Sequence, residues 1–181
     1  MSGSSKTAMS GASSKAVNFA GLNSQSNDEA HGAFLSCCHC ARWASDMNLA
    51  RPYDSAQSVF DAARDCWQYS TEAEKLEAFL GHPQIGDLDA LRNKYASSAN
   101  REQGQITQAD EQTLVELAEL NKRYLTVHGF IFIVCATGKS AAEMLKLLKD
   151  RIENSREDEL KNAAHEQGAI TQLRLEKLLS S

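Results

Sequence analysis

Proline is scarce in this chain of 181 residues, where it occurs only as Pro52 and Pro83. With ten glycines, the chain has few of the residues that separate short strands, so long helices are allowed. It also lacks an apolar run near the ~20 residues that a membrane-spanning helix needs, and we expect no membrane insertion. Residues 1–17, rich in Ser, Gly and Ala, lack the apolar segment of a secretory signal. We interpret 1–17 as a disordered tail before a single domain at 18–181.

Positive charge is not in excess either. The formal net charge is −5, so the composition does not indicate a nucleic-acid-binding surface. Hydrophobic residues make up 42% of the chain and charged residues 24%, which is ordinary for a soluble globular protein. We therefore expect a cytoplasmic protein that binds neither nucleic acid nor membrane.

Cysteine is present five times, an odd number that does not suit a disulfide scaffold. Three of the five lie in the sequence Cys37-Cys38-His39-Cys40, which has the residue types of a zinc site. Structural zinc sites usually draw on two spaced pairs of ligands, and no second pair follows. We expect no metal here and interpret these thiols as small buried apolar groups.

Helical periodicity and capping signals predict an all-α fold, a single-domain bundle of several helices. At four predicted helix starts a Ser or Thr is followed three positions later by an acidic residue, as in a capping box: Thr71 with Glu74, Thr107 with Asp110, Ser140 with Glu143, and Ser155 with Asp158. We expect helices to begin near residues 27, 40, 55, 71, 108, 140 and 155. The clearest periodicity covers 108–127, and 87–95 is a short segment of mixed pattern.

Residues 130–136 are a continuous apolar run, which by propensity alone predicts a strand. A lone strand cannot form a sheet, so the run is better interpreted as a non-helical segment within the bundle. The sequence Thr137-Gly138-Lys139-Ser140 that follows resembles the end of a phosphate-binding loop. That loop needs a glycine five positions before Gly138, and Ile133 stands there. We interpret Lys139 and Ser140 as the start of the next helix.

The stretch 79–87 contains the strongest single candidate for chemistry, His82. Gly81 can end the preceding helix in the left-handed conformation, and Pro83 limits His82 to extended backbone. The imidazole would then project from a stiff corner, where it could act as an acid or a base. The alternative is an ordinary turn between helices with its histidine facing water.

Three other polar side chains could share a site with His82. Glu102 could set the tautomer and charge of an imidazole, and the amide of Gln103 can both donate to and accept from a urea-like group. Arg174 lies between two leucines, so its stem could be buried with its head in a polar pocket. Each also has an ordinary alternative, a solvated helix residue for Glu102 and a surface ion pair for Arg174.

Short groups of residues, in order along most of the chain, carry a family resemblance. They are Phe34-Leu35-Ser36-Cys37-Cys38, Arg42-Trp43, Arg51-Pro52, His82-Pro83-Gln84-Ile85-Gly86-Asp87, Glu102-Gln103, Leu120-Asn121, Tyr124, Gly129-Phe130-Ile131-Phe132-Ile133, Arg151, Asn154, Glu159 and Leu173-Arg174-Leu175. From about 18 to 179 the chain resembles the 2-oxo-4-hydroxy-4-carboxy-5-ureidoimidazoline (OHCU) decarboxylase family. The resemblance implies an all-helical, cofactor-free homodimer that acts late in urate breakdown.

The resemblance also assigns site residues. It implies that His82 is the catalytic histidine, Glu102 its partner carboxylate and Arg174 an active-site arginine. The substrate-binding positions that it implies are Pro83, Ala99, Gln103, Phe132, Ile133, Val134, Cys135 and Ala136. Ala99 departs from the family, in which many members have serine three residues before the glutamate, so one hydrogen bond to the substrate is in doubt.

The implied activity is decarboxylation of a small ureidoimidazoline, OHCU, to (S)-allantoin. The substrate's own ring imine can accept the electrons released with carbon dioxide, so no cofactor is expected. If Glu102 stabilises the charged imidazole, the pKa of His82 should lie above its usual value of about 6.5. Two alternatives stay open: a related cofactor-free ureide-processing enzyme of the same fold, and a non-catalytic helical interaction module.

Overall fold

The computed structural model describes residues 19–83, 87–96 and 108–180, and within these ranges all regular structure is helical. The helices are α1 Phe19–Ser24, α2 Asn27–Cys38, α3 Ala41–Leu49, α4 Ala56–Gln68, α5 Glu72–Leu80, α6 Leu88–Ala96, α7 Gln108–His128, α8 Ala141–Arg151 and α9 Arg156–Leu179. The predicted all-α fold is confirmed. None of the described helices combines the length and the apolar composition needed to cross a membrane.

Side-chain caps fix the starts of the helices that the sequence pattern predicts. Thr71 and Ser140 each accept a hydrogen bond from the backbone of the third helical residue, whose glutamate bonds back to the cap. Ser55 caps α4 and Ser155 caps α9 in the same position. Such caps stabilise a helix by about 0.5–2 kcal/mol each. The predicted starts near 55, 71, 140 and 155 are therefore confirmed.

Helices α1 and α6 differ from the sequence-based expectation. The prediction of a mixed segment at 87–95 is wrong, because Leu88–Ala96 is α6. Asp87 begins this helix by accepting a hydrogen bond from the backbone N–H of Asp89 at 2.9 Å. Leu91 and Tyr95, one turn apart, bury the inner face. No pattern in the sequence predicted α1.

Gly81 ends α5, but not in the left-handed conformation that we expected. Its φ and ψ are −71° and −3°, which any residue can adopt. The glycine is required by close approach instead, since a Cβ at this position would lie 2.3 Å from the Cβ and 2.2 Å from the Cγ of His39. His39 itself ends α2 with a φ of 55°. The chain segment that carries His82 is thus packed directly on the end of α2.

Residues 130–136 form neither helix nor strand. Gly129, with a φ of 77°, takes the left-handed conformation that ends α7, and the chain then runs through the core. Phe130, Phe132 and Ile133 are buried there, and the rings of Phe130 and Phe132 each pack edge-on against Tyr124. The interpretation as a non-helical segment is confirmed, and burial accounts for its strand-like composition.

Helix α9 joins two clusters of buried apolar side chains. The first cluster lies among α6, α7, α8 and the 130–136 segment, and Ala163 of α9 belongs to it. The second lies among α2, α3 and α4, and Leu175 and Leu179 of α9 belong to that one. Trp67 packs against both clusters and donates its indole N–H to Ala164 O at 2.8 Å. The helix that carries Arg174 is therefore held on both sides.

Substituting Gly81 tests the packing of the His82 corner. We expect Gly81→Ala to lower the free energy of unfolding by about 1–3 kcal/mol, as overpacked sites do, because the added methyl would overlap the His39 side chain. Gly32→Ala, where a Cβ meets nothing within 4 Å in the middle of α2, should instead stabilise by up to about 1 kcal/mol.

Urea unfolding of the single variants and of Gly81→Ala combined with His39→Gly provides the measurement. His39→Gly removes the overlapping side chain at a left-handed position that suits glycine. It should therefore restore most of the lost stability. Equal losses with and without the His39 side chain would contradict the steric explanation.

Candidate active site

His82 lies directly after α5 at the edge of a cavity of about 590 Å³. Pro83 follows it in the lining, and Arg174 reaches the same cavity from α9. The 130–136 segment supplies one wall through five consecutive residues: Phe132, Ile133, Val134, Cys135 and Ala136. The size suits a small-molecule site. Eight of the residues singled out from the sequence thus line one cavity, whereas Glu102, Gln103 and Ala99 lie outside the described residues.

His82 has a buried partner that the sequence did not indicate, Gln167. Its ring nitrogen Nε2 lies 2.5 Å from Gln167 Oε1, and the Gln167 side chain is fully buried. Gln167 Nε2 in turn donates to Thr171 Oγ1 at 3.1 Å. The spacing of Gln167, Thr171 and Arg174, four and then three residues apart, places all three on one face of α9. This spacing is the sequence signal that could have indicated Gln167 and Thr171 as neighbours of Arg174.

The surroundings of His82 lower its pKa below the ordinary value of 6.5. Burial is the largest cause, because it disfavours the charged ring, and Arg174 and His39 add positive charge nearby; the hydrogen bond with Gln167 acts in the opposite direction. The raised pKa expected from a partnership with Glu102 stays a prediction, because Glu102 lies outside the described residues. The described surroundings therefore favour the neutral imidazole, which can accept a proton.

Arg174 is half-buried and is held from behind by the end of another helix. Its Nη1 donates to Cys37 O at 3.0 Å, a carbonyl in the last turn of α2. It makes no ion pair with a described carboxylate. The guanidinium carries five N–H donors, so others remain for a ligand in the cavity.

The wall formed by residues 132–136 is fixed by side chains from α8, α9 and the turn before α8. Arg151 Nη1 donates to Ile133 O at 3.0 Å. Cys135 is held at both ends of its backbone, since its N–H donates to Glu166 Oε2 at 2.7 Å and its carbonyl accepts from Lys139 Nζ at 2.5 Å. The described hydrogen bonds leave the backbone of Val134 unused, and it lies in the middle of the wall.

Glu159, fully buried in α9, organises the residues behind this wall. Its carboxylate accepts hydrogen bonds from four side chains at 2.6–2.9 Å: Tyr124, Arg151, Asn154 and Asn162. Burial alone would raise the pKa of this carboxyl, but these donors outweigh it and the pKa lies below the ordinary 4.5. Arg151 also lies over the Phe132 ring, 4.7 Å from its centre. The network therefore positions both the backbone and a ring of the wall.

The described lining of the cavity carries more positive than negative charge. Lys94, Arg174 and Lys177 are the cations, and Asp87 is the carboxylate. Surplus positive charge in an apolar cleft raises the local concentration of anions. The cavity therefore suits a small anion, such as a carboxylate, whose apolar or amide parts rest on the 132–136 wall.

The thiols near α2 behave as small buried groups. Cys37, Cys38 and Cys40 are all buried and free, and burial raises the pKa of Cys37 to about 11 and that of Cys38 to about 12. Burial therefore favours the protonated form of both thiols. Among the described residues, no group of three His, Cys, Asp or Glu side chains is placed to share a metal ion.

The fold and cavity define a class, an all-helical protein with a histidine and an arginine at a small-molecule pocket. The family model described as OHCU decarboxylase matches residues 23–176, and the chain belongs to this family. A solved structure described as OHCU decarboxylase in the presence of (S)-allantoin is 35% identical, with a TM-score of 0.69, over 87% of this chain and 100% of that one.

Two of the similar proteins are much longer than this chain. The uric acid degradation bifunctional protein TTL of Arabidopsis thaliana is 40% identical over 148 residues, which are 80% of this chain but 45% of that protein. The uric acid degradation bifunctional protein of Bacillus sp. (strain TB-90) is 28% identical over 134 residues, 71% of this chain and 25% of that protein. The chain thus spans less than half the length of these relatives.

Neutralising Glu159 tests the network behind the wall. We expect Glu159→Gln to lower the free energy of unfolding by about 3–5 kcal/mol, because the side chain of Arg151, only 12% exposed, would lose its counter-charge. Glu157→Gln is the matched control on the same helix: its carboxylate is 79% exposed and pairs with exposed Lys161. Such pairs contribute about 0–1 kcal/mol. Urea unfolding at pH 7 measures both, and equal small losses would contradict the role of Glu159.

The same carboxylate predicts a pH dependence of stability. Because its pKa is lowered in the folded chain, its contribution is fully present above the unfolded value of about 4.5. It is lost as the pH falls through the lower folded-state pKa. The unfolding free energy of Glu159→Gln should therefore fall less steeply with acid below pH 4.5 than that of the wild-type chain. Parallel curves would contradict the assignment.

Proposed function

We propose that this chain is a cofactor-independent carboxy-lyase that decarboxylates OHCU to (S)-allantoin in urate degradation. The observation that carries the proposal is the meeting of His82 and Arg174, from distant parts of the chain, in one cavity. Membership of the OHCU decarboxylase family supports the reaction class. The similar structure crystallised with (S)-allantoin supports the product class.

The reaction needs no electron sink beyond the substrate. The bond between the ring carbon and its carboxylate breaks, carbon dioxide leaves, and the electron pair moves through the neighbouring carbon onto the ring imine nitrogen. That nitrogen takes a proton from solvent. The hydroxyl beside the broken bond then loses its proton to become a carbonyl, and the ureido-bearing carbon gains one. The sum is one proton consumed for each carbon dioxide released.

In this proposal His82 performs the last proton exchange. Its lowered pKa keeps the ring neutral at pH 7, so it can take the hydroxyl proton and return a proton to one face of the ureido-bearing carbon. Delivery from a fixed side chain makes a single enantiomer. Arg174, with Lys94 and Lys177 nearby, holds the anionic substrate, while the 132–136 wall and Pro83 contact its ring.

Three further residues belong to the proposal although they lie outside the described residues. Glu102 is proposed as the carboxylate partner of His82, and Gln103 as the amide that binds the ureido group. Ala99 is proposed to face the substrate without the hydroxyl that many family members have there. These roles rest on the family resemblance of the sequence alone.

Substituting His82 tests the mechanism. We expect His82→Ala to lower kcat by about 10²–10⁴, the usual contribution of an acid–base group. His165→Ala, an exposed histidine on α9, should leave kcat unchanged.

The acid limb of the kcat/KM profile should lie below pH 6.5, because His82 must be neutral and its pKa is lowered.

The measurement uses freshly generated substrate with the uncatalysed decay subtracted, and circular dichroism checks both the folding and the handedness of the product. Glu102→Gln should also slow turnover, and the double variant should lose little more than His82→Ala, since the two residues act as a unit. Near-wild-type turnover of folded His82→Ala would overturn the proposal.

Assembly, location and the N-terminal segment complete the proposal. We propose a cytoplasmic homodimer, and the exposed apolar side chains Leu49, Tyr69 and Leu80 are candidates for a covered surface. Five free thiols suit a reducing compartment.

We also propose that residues 1–17 are a tail without a role in turnover. Sedimentation at micromolar concentration should give a dimer, with or without residues 1–17; a monomer would contradict the assembly.

A further inference from the structure

A chain of buried hydrogen bonds supports His82 from the side of α9. Nε2 of the ring contacts Gln167 Oε1 at 2.5 Å, and Gln167 Nε2 donates to Thr171 Oγ1 at 3.1 Å. The Thr171 hydroxyl also interacts with the thiol of Cys38 in α2. All three supporting residues are buried. The ring is thus the outer end of a polar chain that solvent does not reach.

This series of hydrogen bonds has a direction, and the amide of Gln167 sets it. An amide has one accepting oxygen and one donating nitrogen. Because the nitrogen donates to Thr171, the oxygen is left for His82, and an oxygen can only accept. With the amide in this orientation, His82 carries a hydrogen on Nε2. Without that hydrogen, the lone pairs of Nε2 and of Gln167 Oε1 would oppose each other in a buried site, where an unmade hydrogen bond disfavours a state by about 10- to 100-fold.

We propose that Gln167 is a positioning residue that keeps His82 in its Nε2–H tautomer and thereby assigns proton exchange with the substrate to Nδ1. The inference rests on the proposed function for the identity of the proton's partner. Among the described residues, no hydrogen bond involves Nδ1, so this nitrogen is left for the substrate and for the proposed partner Glu102, which lies outside the described residues. In the free enzyme Nδ1 carries the lone pair, so it is the base for the substrate hydroxyl.

At position 167 an uncharged side chain suits this role better than a carboxylate. The titratable or charged groups near the ring in the described residues are Arg174 on α9, His39 after α2, Asp87 just before α6 and Lys94 on α6. Arg174 and His39 disfavour the imidazolium. A neutral amide orients the ring without reversing that effect, whereas a carboxylate at 167 would stabilise the charged ring. Gln167 therefore fixes the tautomer and keeps His82 neutral.

The first experiment reads the tautomer directly and needs no substrate. In the enzyme labelled with 15N-histidine, the signals that disappear in His82→Ala belong to His82. At a pH well above the His82 pKa, the expected spectrum has a protonated Nε2 and an unprotonated Nδ1. The opposite tautomer in the wild-type enzyme would mean that the amide is reversed, and it would overturn the proposal.

Variants at position 167 test the coupling to catalysis. Gln167→Met keeps the volume but cannot accept, so the tautomer preference should fall by about 10-fold or more, and kcat should fall with KM little changed. Gln167→Glu should raise the His82 pKa by about 1 pH unit or more and move the acid limb of the rate profile to higher pH. Gln172→Met, exposed on the same helix, is the matched control.

Position 171 provides a second test that does not depend on Gln167 variants folding. Thr171→Val removes the hydroxyl that holds the amide, so it should weaken the tautomer preference, whereas Thr171→Ser should restore it. Unchanged His82 signals and pH profile in folded Gln167→Met or Thr171→Val would overturn the proposal. If the wild-type protein has the expected His82 tautomer but does not decarboxylate the substrate, the proposed function is refuted and the role of Gln167 is not. The failure of one proposal can therefore be told from the failure of the other.

Discussion

The buried carboxylate of Glu159 is the interaction on which the rest of the cavity depends. It binds donors from α7, from the end of α8 and from its own helix α9, so the positions of three helices are set relative to one charge. Removing a charge from water is costly unless partners replace the water completely. Here four donors do so, and one of them, Arg151, continues to the carbonyl of Ile133. The wall of the cavity is thereby tied to the core.

The helices were predictable because their signals are local. Thr71 and Ser140 with their glutamates specify helix starts within four residues of sequence, and these starts are where the structure has them. The conformation of Gly81 was predicted wrongly because the requirement for glycine at this position is not local. Gly81 must leave space for the side chain of His39, which lies at the end of another helix. Helix α6 was missed because a helix of nine residues offers too few turns for periodicity to stand out.

The residues of the candidate site divide in the same way. His82 and Arg174 stand out in the sequence by type and by resemblance, and the structure brings them to one cavity. Gln167 did not stand out, because a glutamine in a polar helix is ordinary until its burial is known. The lowering of the His82 pKa by its described surroundings was not predicted, for a related reason. It depends on burial and on Arg174, and neither can be derived from the residues beside His82 in sequence.

The position of α9 in both apolar clusters has a consequence for how the chain loses its structure. Ala163 lies in one cluster and Leu175 in the other, and one uninterrupted helix joins them. We expect neither cluster to open fully while the helix stays intact and packed, so unfolding should be cooperative across the two clusters. We expect the slowest amide hydrogens to exchange with deuterium to lie in the middle of α9, near Ala164. Gln167 and Thr171, which support His82, lie in this part of α9. Their hydrogen bonds should therefore persist for as long as the chain is folded.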